Sequence, residues 1–167
     1  MSETTQGIVI GAQVKFGGTA PDVAFSFEGT ANGAGRVSTQ YDTGADPRAD
    51  EYGWKCSVQS QATPVQGSVW EVWAAGAPDY DSTEVDGRVG VVDAALGDID
   101  QTRNLKRLGS IRVEDADTTV MTGGGRFIWT QQYMSIVMVN KSGAAVDAAA
   151  ANFSFHVWSI RQHGNTV

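Results

Sequence analysis

Residues 123–162 read GGGRFIWTQQYMSIVMVNKSGAAVDAAAANFSFHVWSIRQ. Apolar and aromatic runs of strand length alternate here with glycine or small polar residues, the pattern of strands joined by turns. Spacing of two puts Phe127 with Trp129, Ile136 with Met138, and Phe153 with Phe155 on common faces. These pairs are expected to seed a core from three neighbouring strands. The triplet Gly123–Gly125 lacks the lysine and Ser/Thr of a phosphate loop and reads as a flexible turn before the first strand.

Upstream the same signature repeats. Gly7 to Phe16 fits a first strand or an arm lying on a neighbour, and residues 1–6 are polar. Val23, Phe25 and Phe27 alternate with Ala24 and Ser26, which predicts a half-buried strand. Asn32-Gly33 is a turn pair, and Arg36 to Tyr41 reads as the returning strand. Residues 42–51 carry four acids, one Arg and one Pro and read as a solvated loop. In the next strand Trp54, Cys56 and Val58 oppose Lys55 and Ser57. Gly67 to Ala75 carries bulk on both faces, so it is either covered on both sides or meets another subunit.

Residues 76–100 have the weakest periodicity. Val85 to Val92 fits a short strand. Asp100 to Leu108 fits a short helix with Asp100 as N-cap and Gly109 as stop, and fits a loop equally. Ser110 to Glu114 and Thr118 to Thr122 complete a series of roughly eight to ten strands, the signature of a sandwich. The expected fold is all-β, an antiparallel, jelly-roll-like β-sandwich at residues 17–162. Residues 1–16 form an N-terminal segment and 163–167 a tail.

A chain of 167 residues is one domain with enough length to bury a core without staples. Its formal charge of −7 disfavours nucleic acid and anionic membrane surfaces as partners. Cys56 is the lone cysteine, which excludes a disulfide within the chain and reads as a small buried group. MSETTQGIVIG has neither the basic flank nor the apolar core of a secretory signal, and no run approaches a membrane span, so synthesis in the cytoplasm is expected.

Chemical motifs are sparse. Asp79, Asp81, Glu84, Asp86, Asp93, Asp98 and Asp100 face one base, Arg88, between residues 76 and 100. Asp79-x-Asp81 begins like a calcium loop but lacks the later glycine and glutamate, so both are weak metal candidates and no cofactor is expected. Arg103, Lys106, Arg107 and Arg112 form a basic cluster suited to pairing within or between subunits. His156 shares a face with Ser154 and Trp158, and His163 lies in the tail; no Gly-x-Ser-x-Gly elbow accompanies them. Trp70 and Trp73 point to opposite faces, so at least one of them lies outside the common core, available for a subunit interface or a sugar. With Arg103, Lys106, Arg107 and Met134 they are the candidate contact residues. Asn140-Lys141-Ser142 and Asn152-Phe153-Ser154 match the glycosylation pattern by chance.

LKRLGSIRV at 105–113, the glycine-rich break, Arg126-Phe127, and YMSIVMVN at 133–140 followed by Lys141-Ser142-Gly143 together resemble small structural proteins of tailed bacteriophage virions. The resemblance spans residues 105–160. It implies a β-sandwich that decorates the capsid or serves as a head or tail accessory, with no catalytic residues to carry over. It further implies a homo-oligomer, a trimer first, with the major capsid protein as a partner and the virion as final location. A carbohydrate- or receptor-binding module of a phage fibre is the alternative.

Overall fold

The structure, a computed structural model, describes residues 5–44, 51–80, 85–116 and 118–165. Ten strands form it: β1 Thr5–Phe16, β2 Gly35–Val37, β3 Tyr41–Asp42, β4 Glu51–Val58, β5 Val69–Ala77, β6 Ala94–Ala95, β7 Lys106–Arg112, β8 Met121–Ile128, β9 Tyr133–Lys141 and β10 Phe153–Asn165. A four-stranded sheet runs β1-β10-β4-β8. A six-stranded sheet runs β6-β2-β9-β5-β7, with β3 also paired to β9. All strand pairs are antiparallel. The chain is therefore an all-β sandwich.

The core between the sheets is aromatic. Trp54 of β4 stacks on Phe155 of β10 with ring centroids 5.6 Å apart and planes 4° from parallel. Phe25, Phe27 and Phe153 form a second group at 5.4–5.8 Å. Ile136 and Met138 enter from β9, and Phe127 and Trp129 from β8 and the residue just beyond it. The three same-face pairs thus share one core, but not as neighbouring strands. β8 and β10 flank β4 in one sheet and β9 lies in the other. Alternation sets which face a residue takes, while register and sheet membership come from distant pairings.

The glycine triplet is not a turn. It lies inside β8, where Cys56 pairs with Gly123, Lys55 with Gly124 and Trp54 with Gly125. A Cβ at 125 would sit 2.9 Å from Trp54 Nε1, and one at 123 would sit 2.8 Å from Ile111 Cγ1. Glycine stands here because two large inward side chains occupy the space a Cβ needs.

Several sequence expectations shift. Val23 to Phe27 buries Phe25 and Phe27 but forms no ladder beyond a bridge at Val23. The expected helix at 100–108 is a 3₁₀ turn, Ile99–Asn104. Asp98 caps it, in a reciprocal box with Gln101, and Lys106 already belongs to β7. Residues 85–92 hold a 3₁₀ turn at Asp86–Arg88 where a strand was expected. β10 runs through Asn165 into the presumed tail, and β1 pairs along it, so residues from Thr5 form an edge strand of the chain's own sheet.

The weakly periodic segment after β5 covers one end of the outer face of the six-stranded sheet. Val85, Val89 and Leu105 pack with Val37, Ala75, Ala77 and Val137 in a second apolar cluster, joined by Trp73 and Leu96. Asp93 fastens this cover. It accepts from Arg36 at 2.9 Å and from the Ser26 backbone N–H at 3.0 Å. Burial alone would raise the Asp93 pKa, but the hydrogen bonds from Ser26 and Arg36 outweigh it and hold the carboxyl below its usual range. The cover thereby buries the outer face of β5 at Ala75 and Ala77 and leaves Val69, Glu71 and Trp73 half-exposed on that side.

Candidate functional site

Among the described residues the cover lies over one end of the six-stranded sheet and leaves Arg107, Ser110, Arg112 and Lys141 exposed at the other, while the outer face of the four-stranded sheet carries no comparable cover. Paired residues of antiparallel strands project to one side, so register lays this face out in rows. One row holds Ile10, Ile160, Glu51 and Ile128. The next holds Gln13, Trp158, Gly53 and Arg126, and a third holds Lys15, His156, Lys55 and Gly124. The inward partners Phe153, Phe155 and Val157 anchor β10, which fixes Trp158 and His156 outward.

Trp158 lies across Gly53, and a Cβ at 53 would overlap its indole ring. The glycine lets the ring settle flat against the sheet. Beside it Ile128 is 61% exposed, and Arg126 reaches Glu51 at 3.6 Å. Burial lowers the His156 pKa, the nearby Lys15 and Lys55 charges lower it further, and Asp22 opposes them. On a chain of net charge −7, this face combines an aromatic plate, exposed aliphatics and three permanent cations.

Where β1 meets β10 the register slips between Ile10 and Gln13, a bulge opposite Ser159. A cleft of about 200 Å³ opens nearby, lined by Tyr41, Thr43, Tyr52, Trp158 and Ser159 among others. Burial raises the Tyr41 pKa, with Tyr52, Asp42 and Asp22 adding to it. The phenol therefore stays neutral and can donate as well as accept a hydrogen bond.

The contact candidates read from sequence are dispersed. Trp70 and Met134 are fully buried in the inter-sheet core, so neither can meet a partner of the folded chain. Trp73 does point away from that core; half-exposed, it packs against the edge of the cover, with the Arg107 guanidinium 5.7 Å from its ring centroid. Arg103 pairs with Asp100 at 3.1 Å on the surface, and Lys106 is exposed at the start of β7. Asp79 is exposed just past β5, and Asp81 lies outside the described residues. Among the described residues, no group of three His, Cys, Asp or Glu side chains could hold a metal ion. No helix among them is long and apolar enough to cross a membrane.

Asn140, one of the two glycosylation-pattern matches, is fully buried. Its amide donates to the carbonyls of Thr30 and Ala144 at 2.9 and 2.8 Å, and its oxygen accepts from the Ser142 hydroxyl at 2.7 Å. It ties the end of β9 to the 30–34 turn and is closed to modification.

Sequence reasoning set Lys55 opposite Trp54 and Cys56 and put His156 on one face with Trp158, but did not bring Lys55 beside them. Their meeting depends on the register of β4 against β10. No protein-family model matches the chain, and no curated protein matches it.

Proposed function

We propose that this chain is a non-enzymatic structural subunit of a virion, a capsid decoration or head–tail accessory component that stabilises the particle through subunit contacts. The observation that carries the reading is the open outer face of the four-stranded sheet, with Trp158 flat on Gly53, exposed Ile128, and Lys15, Lys55 and Arg126 beside them. Aromatic and arginine side chains around an apolar centre are the residue types that dominate protein–protein contacts. The phage-like pattern at 105–160 supports the same reading. Its partners are other copies of the chain, a trimer first, and a shell protein such as the major capsid protein. The chain reaches the virion after synthesis in the host cytoplasm.

The test is to image purified particles by electron cryo-microscopy, with the wild-type chain and with Trp158→Ala/Lys55→Glu. Regularly placed density that the variant loses supports the reading. Particles without the chain, or decorated equally by the variant, refute it. The cleft lined by Tyr41, Tyr52 and Trp158 favours a second reading, a carbohydrate-binding module, because aromatic rings stack on sugar faces. A glycan array hit abolished by Trp158→Ala would select it, and a blank array would remove it.

A further inference from the structure

The sandwich has four sheet edges, and three are closed to further pairing. β6 is only two residues long. β7 and β8 lie side by side where the two sheets meet. β1 is different. It is a twelve-residue edge strand, covered among the described residues at its end, where the Asp22 and Val23 backbone N–H groups donate to the Lys15 carbonyl. From Thr5 to Val14 it carries no charge and no proline. Long edges of folded proteins are normally blunted by such residues, because their free N–H and C=O groups recruit another strand.

Among the described residues β10 pairs with β4 from Phe153 to Ile160 and with β1 out to Asn165. Among these residues the outer half of β1 is paired on one side, to β10, past the end of the described β4. On it Ile8, Val9 and Ile10 are 65%, 47% and 66% exposed. Ile8 and Ile10 take one face of the strand and Val9 the other.

The sequence of this edge selects its occupant. Gly7-Ile8-Val9-Ile10-Gly11 reads the same in both directions about Val9. An antiparallel strand pair reverses direction, so two copies meeting on a twofold axis at Val9 place Ile8 opposite Ile10 and Gly7 opposite Gly11. A twofold contact must be self-complementary, and here it sets exposed aliphatic side chains against their like with no charge among them. The stretch is also uncharged, so two chains of net charge −7 can approach here without opposing like charges.

We propose that β1 pairs with β1 of a second copy across a twofold axis at Val9. The pairing joins two four-stranded sheets into one continuous sheet, with four isoleucines meeting on one side and two valines on the other. This rests on the assembly reading but replaces its trimer with a twofold: the free chain associates in even numbers, through the edge rather than the open face.

The experiment is sedimentation velocity on the full chain and on two variants, Ile8→Lys/Ile10→Lys and Ile8→Glu/Ile10→Glu. Both sites are exposed, so folding should survive, and tryptophan fluorescence with circular dichroism checks that it does. Each variant sets like charges directly opposite across the twofold. The wild type should form a dimer or an even multiple. Each variant alone should associate at least ~tenfold more weakly, and a 1:1 mixture should recover the dimer. A wild type that stays monomeric at high concentration overturns the pairing. So does a variant that associates like the wild type, or a mixture that stays apart. A stable trimer indifferent to both variants would overturn the edge contact while leaving the assembly reading standing.

Discussion

Replacing Gly125 by alanine should destabilise the fold, although the same change in most strands would not. Alanine restricts the unfolded chain, a gain of about 0.4–1 kcal/mol where the native backbone accepts it. Here the new Cβ would lie 2.9 Å from Trp54 Nε1 and 3.4 Å from Cε2. The indole cannot retreat. Its other side stacks on Phe155 at 5.6 Å, and a Cβ at Gly109 would already stand 3.0 Å from its Cζ2. Overpacking of this kind costs about 1–3 kcal/mol, and the entropic gain applies only where the backbone and its surroundings accept the new Cβ without strain, so the expected net loss is about 1–2 kcal/mol from the upper part of that range. For a chain of this size that lowers Tm by about 3–6 °C. Guanidinium unfolding followed by tryptophan fluorescence measures it. Gly97→Ala is the control, because its Cβ meets nothing closer than Gln101 Oε1 at 3.8 Å; it should be neutral or slightly stabilising. The cost at 125 should shrink in a Trp54→Phe background, a coupling that a double-mutant cycle reads directly. A Gly125→Ala protein as stable as wild type, with no coupling to Trp54, would refute the packing argument.

Asn140→Ala should cost about 2–3 kcal/mol in the same assay, because it leaves the buried Ser142 backbone N–H without its acceptor and removes the amide's bonds to the Thr30 and Ala144 carbonyls, which keep the Val146 N–H and the Ser142 hydroxyl; a loss under about 1 kcal/mol would show the network to be dispensable. Asp93 has a depressed pKa in the fold, so its contribution is present above the unfolded carboxyl pKa of about 3.9 and disappears as pH falls through the lower folded value. Urea midpoints of wild type and Asp93→Asn should therefore differ near neutral pH and converge in strong acid, and a difference that persists there would contradict the pairing. His156 should titrate by NMR below about 6.5, and Lys55→Ala should raise it, since Lys55 is one of its depressing charges. Because that folded pKa is lowered, the stability it supports is present above about 6.5 and declines as pH falls through the folded value; titration at or above the ordinary value would contradict the row Lys15–His156–Lys55.

The all-β sandwich was legible because period-two alternation at Trp54–Val58 and Phe153–Val157 reports burial directly. The inward set of both stretches agrees with their reading. Three features were hidden for physical reasons. Gly123–Gly125 looked like a turn because glycine serves both turns and crowded strands, and only the Trp54 ring and the Ile111 side chain opposite reveal which. The 85–105 cover has no periodicity because its apolar residues come from 3₁₀ turns and loops rather than from one regular element. Trp70 and Met134 looked available because strand alternation says which side a residue takes, not whether a second layer lies there. The candidate face suffered the converse difficulty. Trp158, Lys55 and Arg126 were each visible, but they sit on three strands whose order β10-β4-β8 is far from chain order.

The reading that the chain acts by surface contact meets its most direct test in hydroxyl-radical footprinting of Trp158 and Ile128, on the dilute chain and on the chain bound in its particle. The account predicts strong labelling of both residues in the dilute chain and clear protection on the particle, while Tyr80, 51% exposed on the opposite side of the sandwich, keeps its labelling. Equal labelling of Trp158 and Ile128 in the two states, with the chain demonstrably bound, would contradict it.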